Sequence, residues 1–384
     1  MLECQRHLFD VPREIAYFNC ASFSPFLRTV AEAGHGAVDR RVRTWDINST
    51  ELADGADRVR ALFARLINAE ADAIAVTPAT SYGVAVAAAN LDLAVGQNIV
   101  VLQDQFPSNY YIWVEKAARA GAEMRVVPRA ENGDWMPGVL DAIGEDTAIA
   151  ALPGCHWMDG SLLDLEAIGI RCREVGAAFV IDATQSAGAM PIDVKEVRPD
   201  FLFAAGYKWL MCPYALSFLY VAPERQAGRP LEANTFDHAG TDGGQTWQGG
   251  TLQYPSQWSP GARRFDMGER ANFTLMPMAA AGLGQILEWG IGDINRTIGA
   301  LTDTICDGAA QLGFAVPPPA ARSGHLTGLR FPDGAPMGVQ DRLEAKGIHI
   351  SMRGDTVRVS PHLWVKQADI DRLLEALAEE MPSA

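Results

Sequence analysis

Two rhythms of apolar residues alternate along this chain. Ile74 to Val76, Asn98 to Leu102, Met124 to Val127, Ala148 to Leu152, Phe179 to Ile181 and Phe201 to Ala205 are short β-branched or aromatic runs and read as strands. Between them, Tyr82 to Leu91, Tyr111 to Ala120 and Leu165 to Val175 place apolar residues three and four apart and read as helices. Strands alternating with helices predict an α/β architecture, a mostly parallel sheet covered by helices. Upstream, residues 12–26 predict a brief strand and a turn carrying Asn19, Ala21 and Ser22. Val30 to Leu66 has helical spacing, with Val38, Val42, Trp45, Val59, Leu62, Phe63 and Leu66 expected to face a core.

The rhythm stops from Gly228 to Arg264, where Gly, Gln, Thr and Trp interleave. That stretch is too long for a simple connection and is expected to be functional or interfacial. Helices are predicted over Asn272 to Trp289 and Ile294 to Leu312. Beyond Phe314, short strands (Gly328 to Phe331, Ile348 to Ser351, Thr356 to Ser360) alternate with helices (Met337 to Lys346, Ala368 to Glu379). This reads as a smaller α+β unit. At 384 residues the chain exceeds what one core sustains. Two domains are expected: residues 20–275, and residues 1–19 together with 276–384.

Composition narrows the classes without naming one. With 48% hydrophobic and 21% charged residues the chain is of ordinary globular make-up. A net charge of −15 repels phosphate backbones and argues against nucleic-acid binding. The six cysteines show neither CxxC spacing nor a companion His cluster, which argues against a metal site or a disulfide framework. No basic leader precedes an apolar core, and no apolar run approaches membrane-spanning length. A cytoplasmic protein without metal or membrane is the expectation.

In parallel sheets, ligands gather beyond the carboxyl ends of the strands. Thr80, Phe106, His156 and Asp182 each follow a predicted strand. Asp182 ends one run and Lys208 follows the next by three residues. A carboxylate and an amine at one sheet edge suit pyridoxal 5′-phosphate (PLP), whose aldehyde a lysine holds and whose pyridine nitrogen an acid pairs with. The plainer alternative is an aspartate capping a turn and a surface lysine. Ala79, Thr80 and Ser81 begin a helix, where hydroxyls and free N–H groups either cap the backbone or bind an anion. Arg353 and Arg358 share the hairpin MRGDTVRVSPHLW; a single hairpin arginine is ordinarily a solvated charge.

The segments DATQSAG (182–188), Gly-Tyr-Lys (206–208) and QFPSN (105–109) resemble the class V aminotransferase family of fold type I PLP enzymes. That group includes cysteine desulfurases, selenocysteine lyases, kynureninases and isopenicillin N epimerase. The likeness runs from YFNCASFSP through RGDTVRVSPHLW. It implies a large domain with a mostly parallel seven-stranded sheet between helices, a smaller α+β C-terminal domain, and a homodimer with shared sites. In that dimer the loop around Thr246 and Trp247 would reach a neighbouring cofactor. By the resemblance, Lys208 forms the Schiff base and carries protons, and Asp182 holds the pyridinium. Gln185 reaches the phenolic oxygen, Phe106 stacks on the ring, and Ala79, Thr80 and Ser81 seat the phosphate. Arg353 clamps the substrate carboxylate, Arg358 serves the hairpin, and Asn19 and His156 belong to the substrate side.

Two departures matter. Ala205-Gly206-Tyr207-Lys208 stands where many relatives have Ser-Gly-His-Lys, so a serine ligand to the phosphate is missing and the Tyr207 hydroxyl is a substitute. Trp157 stands where group II desulfurases carry an asparagine, leaving His156 or Trp157 to shape the pocket. Amino-group transfer on an α-amino acid is the leading reaction. A β-eliminating carbon–sulfur lyase or an epimerase is the alternative on the same scaffold. Outside catalysis, a PLP-binding homologue without activity is the other reading, opposed by the presence of Lys208, Asp182 and Arg353. No cysteine lies between Phe331 and Arg353, which argues against persulfide chemistry. Cys155 is the one thiol near a strand end, read as either reactive or buried and structural.

Overall fold

The computed structural model describes residues 1–47, 50–130, 133–234, 237–240 and 246–381, without the side chains of 50–53 and 246. The chain opens with β1 (Ala16–Tyr17), α1 (Arg28–Arg41) and α2 (Thr50–Leu66). A regular alternation follows: β2 (Ile74–Thr77), α3 (Thr80–Asn90), β3 (Asn98–Leu102), α4 (Tyr111–Ala120), β4 (Glu123–Val127) and α5 (Met136–Ala142). It continues with β5 (Thr147–Pro153), α6 (Leu165–Val175), β6 (Ala178–Asp182), the short α7 (Val194–Val197), β7 (Phe201–Ala205) and β8 (Ser217–Val221). These strands make one seven-stranded sheet in the order β2-β8-β7-β6-β5-β3-β4. Only β8 runs antiparallel to its neighbours, β7 and β2. β5, β6, β7 and β8 are buried along almost their whole length, so they read as continuous apolar runs without alternation.

Helices cover both faces, dividing the buried apolar residues into two clusters. Val100, Leu102, Phe179 and Ile181 point into one and Ile99, Val101, Val180 and Phe203 into the other, as period-two alternation demands. The region 228–264 contains a hairpin, β9 (Thr246–Gln248) with β10 (Thr251–Gln253). Trp247 is exposed there; how the neighbouring segment 241–245 and the Thr246 side chain are placed lies outside the described residues.

The last third packs α8 (Leu275–Trp289) and α9 (Ile291–Gln311) beside a three-stranded antiparallel sheet, β11-β14-β13. Its strands are β11 (Thr327–Arg330), β13 (Ser351–Arg353) and β14 (Thr356–Val359). Completing the chain are α10 (Val339–Ala345), β12 (Ile348–His349), which pairs parallel with β1, and α11 (Gln367–Glu380). Among the described residues no helix is long and apolar enough to cross a membrane.

One expectation about packing is corrected. Val59 and Phe63 are fully buried, whereas Val38, Val42 and Trp45 are 55%, 75% and 78% exposed. The buried face of α1 is the other one, Val30, Gly34 and Ala37, turned toward α8. Helical spacing locates an apolar stripe but does not say what covers it.

Candidate active site

The parallel strands bring their carboxyl ends to a common edge, and their register fixes what meets there. Pro153 is level with Asp182, and Asp182 with Phe203, so the ends of β5, β6 and β7 align. Lys208 follows in a tight turn after β7, tied by Gly206 N–H to Leu216 O (2.8 Å) and Cys212 N–H to Gly206 O (2.9 Å). A Cβ on Gly206 would lie 2.9 Å from the Leu216 carbonyl oxygen, so only glycine permits this turn. Gly188, the last residue of DATQSAG, adopts φ +92° against the Trp209 carbonyl, where a Cβ would meet the oxygen at 2.6 Å. The two sequence signatures are thus packed backbone to backbone.

Between them opens a pocket lined by Phe106, Cys155, Trp157, Asp182, Gln185 and Lys208, among others. The Lys208 ammonium is buried and has no carboxylate within bonding distance among the described residues. It lies 5.6 Å from the ring centres of both Phe106 and Tyr207. Burial, and next the charge of Arg358, pull its pKa down to about 8, against Asp182, which acts the other way. Asp182 accepts the Thr184 N–H at Oδ1 (3.0 Å), and the Thr184 side chain also bonds its carboxylate. Burial raises its pKa, opposed by the Thr184 bonds and by Lys208.

Aromatic and amide groups frame these two charges. Phe106 meets Trp157 edge to face at 5.4 Å, and the Trp157 indole N–H donates to the Asp104 carbonyl (2.8 Å). The Gln185 amide is held at both ends, its NH2 donating to Ala21 O (3.0 Å) and its Oε1 accepting from the Trp209 indole N–H (2.8 Å). Tyr207 turns its ring toward Phe23 and Tyr214, 5.1 and 4.6 Å between centres. Ala79, Thr80 and Ser81 start α3, which packs against the turn that follows Phe106. Ala79 is the N-cap and has no side chain to accept a bond, so the first N–H groups of an eleven-residue helix open outward.

The N-terminal segment and the last hairpin close the far side. Asn19 forms a parallel bridge with Ser360, and its buried Oδ1 is without a partner. The Ser360 hydroxyl accepts Ala21 N–H (3.0 Å), which carries Ser22 to Arg358. Arg358 is buried and donates to Ser22 Oγ (2.6 Å), Trp157 O (2.9 Å) and Ser351 Oγ (3.0 Å), with no carboxylate among these partners. Burial, then the charge of Arg353, pull its pKa down to about 9. Arg353 is half-buried, lies 5.0 Å over the Trp157 ring and donates to Met352 O (2.6 Å).

The geometry redistributes two roles. His156 does not line the pocket: one ring nitrogen lies 3.1 Å from Gln103 O, the other 3.2 Å from Arg129 Nη2, and Trp135 stacks on the ring. Burial lowers its pKa and leaves it neutral, a strut between loops rather than a substrate contact. Arg358, read as a hairpin residue, does not line the pocket either, but its charge acts on Lys208 and it donates to the carbonyl of Trp157 in the pocket wall, while Trp209 orients Gln185. Its sequence signal was a lone charge inside the β-branched run Thr356-Val357-Arg358-Val359, buried on both sides.

A parallel-sheet edge carrying a buried lysine, an aspartate and an aromatic wall of Phe106 and Trp157 suits a fold type I PLP enzyme. The donor set fits the cofactor: a buried carboxylate for a ring nitrogen, an amine with no carboxylate partner among the described residues, and a helix start without a side-chain cap for a phosphate. The chain belongs to the class V aminotransferase family, whose model matches residues 28–373, and this family uses PLP. It is 26% identical over 332 residues to the uncharacterized aminotransferase YcbU of Bacillus subtilis, covering 86% of this chain and 85% of that protein. The fold matches a cysteine desulfurase of Thermococcus onnurineus (TM-score 0.83, 21% identity, 99% and 98% of the two chains). It also matches a C-DES variant with glycine linked to its PLP cofactor (TM-score 0.86, 20% identity, 98% and 99%).

Proposed function

We propose that this PLP-dependent enzyme transfers the amino group of an α-amino acid, with Lys208 as the proton carrier and Arg358 as the carboxylate clamp. The observation that carries this is a lysine of depressed pKa beside a buried guanidinium that faces no acid. When bound, the cofactor supplies an electron sink for the bond that breaks at the substrate α-carbon. Lys208 Nζ, about one-tenth neutral at pH 7 with its pKa lowered to about 8, can take a proton there and return it at a neighbouring atom. Asp182 would pair with the ring nitrogen through a charge-assisted bond worth about 1.5–3 kcal/mol. Phe106 would stack on the ring, Ala79, Thr80 and Ser81 would hold the phosphate, and Gln185 would serve the phenolic oxygen. Tyr207 walls the lysine side, and Trp157 with Asn19 bounds the substrate side.

Two features of Cys155 weigh against outcomes that need an enzyme thiol. Cys155, the thiol lining the pocket, is pushed up to about 12 by burial, which removes the thiolate that a persulfide or a second proton carrier would need. Its Sγ is also engaged with Gln185 O at 3.5 Å. Residues 20–275 would hold the cofactor, and 1–19 with 276–384 would bring the arginines. A second copy of the chain is the proposed partner, supported by the uncovered row Val38, Val42 and Trp45.

The test is to mix holoenzyme with a panel of amino acids and follow the spectrum and products. Accumulation of the pyridoxamine form with an oxo acid supports transfer. Pyruvate with sulfide or thiol would make it a lyase, and inversion of configuration alone would make it an epimerase.

A further inference from the structure

The arginine that remains once Arg358 is assigned defines a second anion site. Arg353 sits on β13 and Arg358 on β14, with Ser351 opposite Arg358 in the antiparallel register. Arg353 is two residues beyond Ser351, so it projects from the same sheet face as Arg358, diagonally across the pair. Such neighbours have Cβ atoms about 7 Å apart. Both also touch Trp157, Arg358 through its carbonyl and Arg353 over its indole. Trp157 in turn lines the pocket that holds Lys208.

Among the described residues no carboxylate forms an ion pair with either arginine. Among the described residues Arg353 donates to Met352 O, and its Nε is buried without an acceptor. Asp159, the acid on the nearby loop, is taken by Arg129. Asp355, in the hairpin turn, accepts Ala335 N–H (3.0 Å). The two guanidinium charges therefore add, and both depress the pKa of Lys208. They do so in a chain of net charge −15, so the positive patch runs against the overall balance. A single carboxylate can satisfy one guanidinium fork but not two that stand a side-chain length apart.

We propose that the site selects amino acids, and the matching oxo acids, that carry a second anionic group on a short side chain, with Arg353 reading that group. This rests on Arg358 holding the α-carboxylate. A charge-assisted bond to Arg353 should separate dianions from monoanions of equal length by about tenfold or more.

Calorimetric titration of the holoenzyme with succinate and with butyrate tests it, since the two differ only in the second carboxylate. Succinate should bind at least about tenfold tighter than butyrate, and Arg353→Gln should bring the ratio toward one. Arg353→Lys, which keeps the charge but loses the fork, should retain part of the preference and guards against a folding defect. Equal binding of the two acids by the wild type, or an unchanged ratio in Arg353→Gln, overturns the proposal. If butyrate binding survives in that case and is lost in Arg358→Gln, the clamp stands and the second-anion reading alone fails. If neither acid binds, both fail.

Discussion

Arg60 and Arg358 are buried to the same depth, 0% and 1% exposed, yet their surroundings are opposite. Arg60 grips Asp266 with both forks, at 2.8 and 3.1 Å, and also donates to the Ile74 carbonyl. Burial alone would pull its pKa down, but Asp266 and then Asp57 more than reverse that. Arg358 has two hydroxyls and a carbonyl, all neutral, and its pKa falls to about 9. Burying a cation without its counter-ion costs several kcal/mol, and folding offers cheaper ways to fill that space. A chain that can pair Arg60 so completely leaves Arg358 unpaired where an anion is to arrive. Paired burial marks architecture here, and unpaired burial marks a binding site.

Substitution should separate the two roles. Arg60→Met strands Asp266 in the core and should cost about 3 kcal/mol in a urea unfolding titration. The loss sits at the low end for a broken buried pair because Arg270 remains 3.3 Å from the same carboxylate. Arg358→Gln should do the reverse. Catalytic efficiency falls about 10²-fold, mostly through KM because the carboxylate is held in ground and transition states alike, while unfolding changes by less than about 1 kcal/mol. Equal destabilisation by the two substitutions would make Arg358 a strut and dissolve the contrast.

How far the sequence reveals this depends on the range of the forces involved. Asn98–Leu102 and Phe201–Ala205 begin and end where their apolar runs do, because both sheet faces are covered and nothing interrupts the pattern. Lys208 and Asp182 were legible too, since strand ends in a parallel sheet share an edge. The antiparallel β8 was not, because SFLYV looks the same in either direction. His156 also follows a strand end, but its ring is aimed by Gln103, Arg129 and Trp135, which no local spacing encodes. Arg358 depends on Ser22 and Trp157, 336 and 201 residues away, and only the tertiary fold brings them together. Val38, Val42 and Trp45 show the converse limit: α1 ends at Arg41, and all three apolar side chains are exposed among the described residues.

The smallest effect gives the sharpest test, because it asks whether an unpaired charge acts at a distance. Arg358 is the strongest charge acting on Lys208, and Arg60 is not among the leading ones. The apoenzyme should capture PLP only through the neutral amine, so the capture rate, read from the growing visible band, should rise through about pH 8. Arg358→Gln removes the like charge and should move that midpoint upward by a fraction of a unit, whereas Arg60→Met should leave it in place. Asp182→Asn removes the opposing charge and should move it down. Stability carries the matching sign. The folded pKa of Lys208 lies below its unfolded value of 10.5, so between about pH 8 and that value the unfolded chain binds more protons, and stability contributed by this group rises with pH. In Arg358→Gln that rise should begin at higher pH. An identical midpoint in all three variants would mean that burial alone sets the lysine, leaving the contrast between the two arginines without a consequence at the catalytic amine.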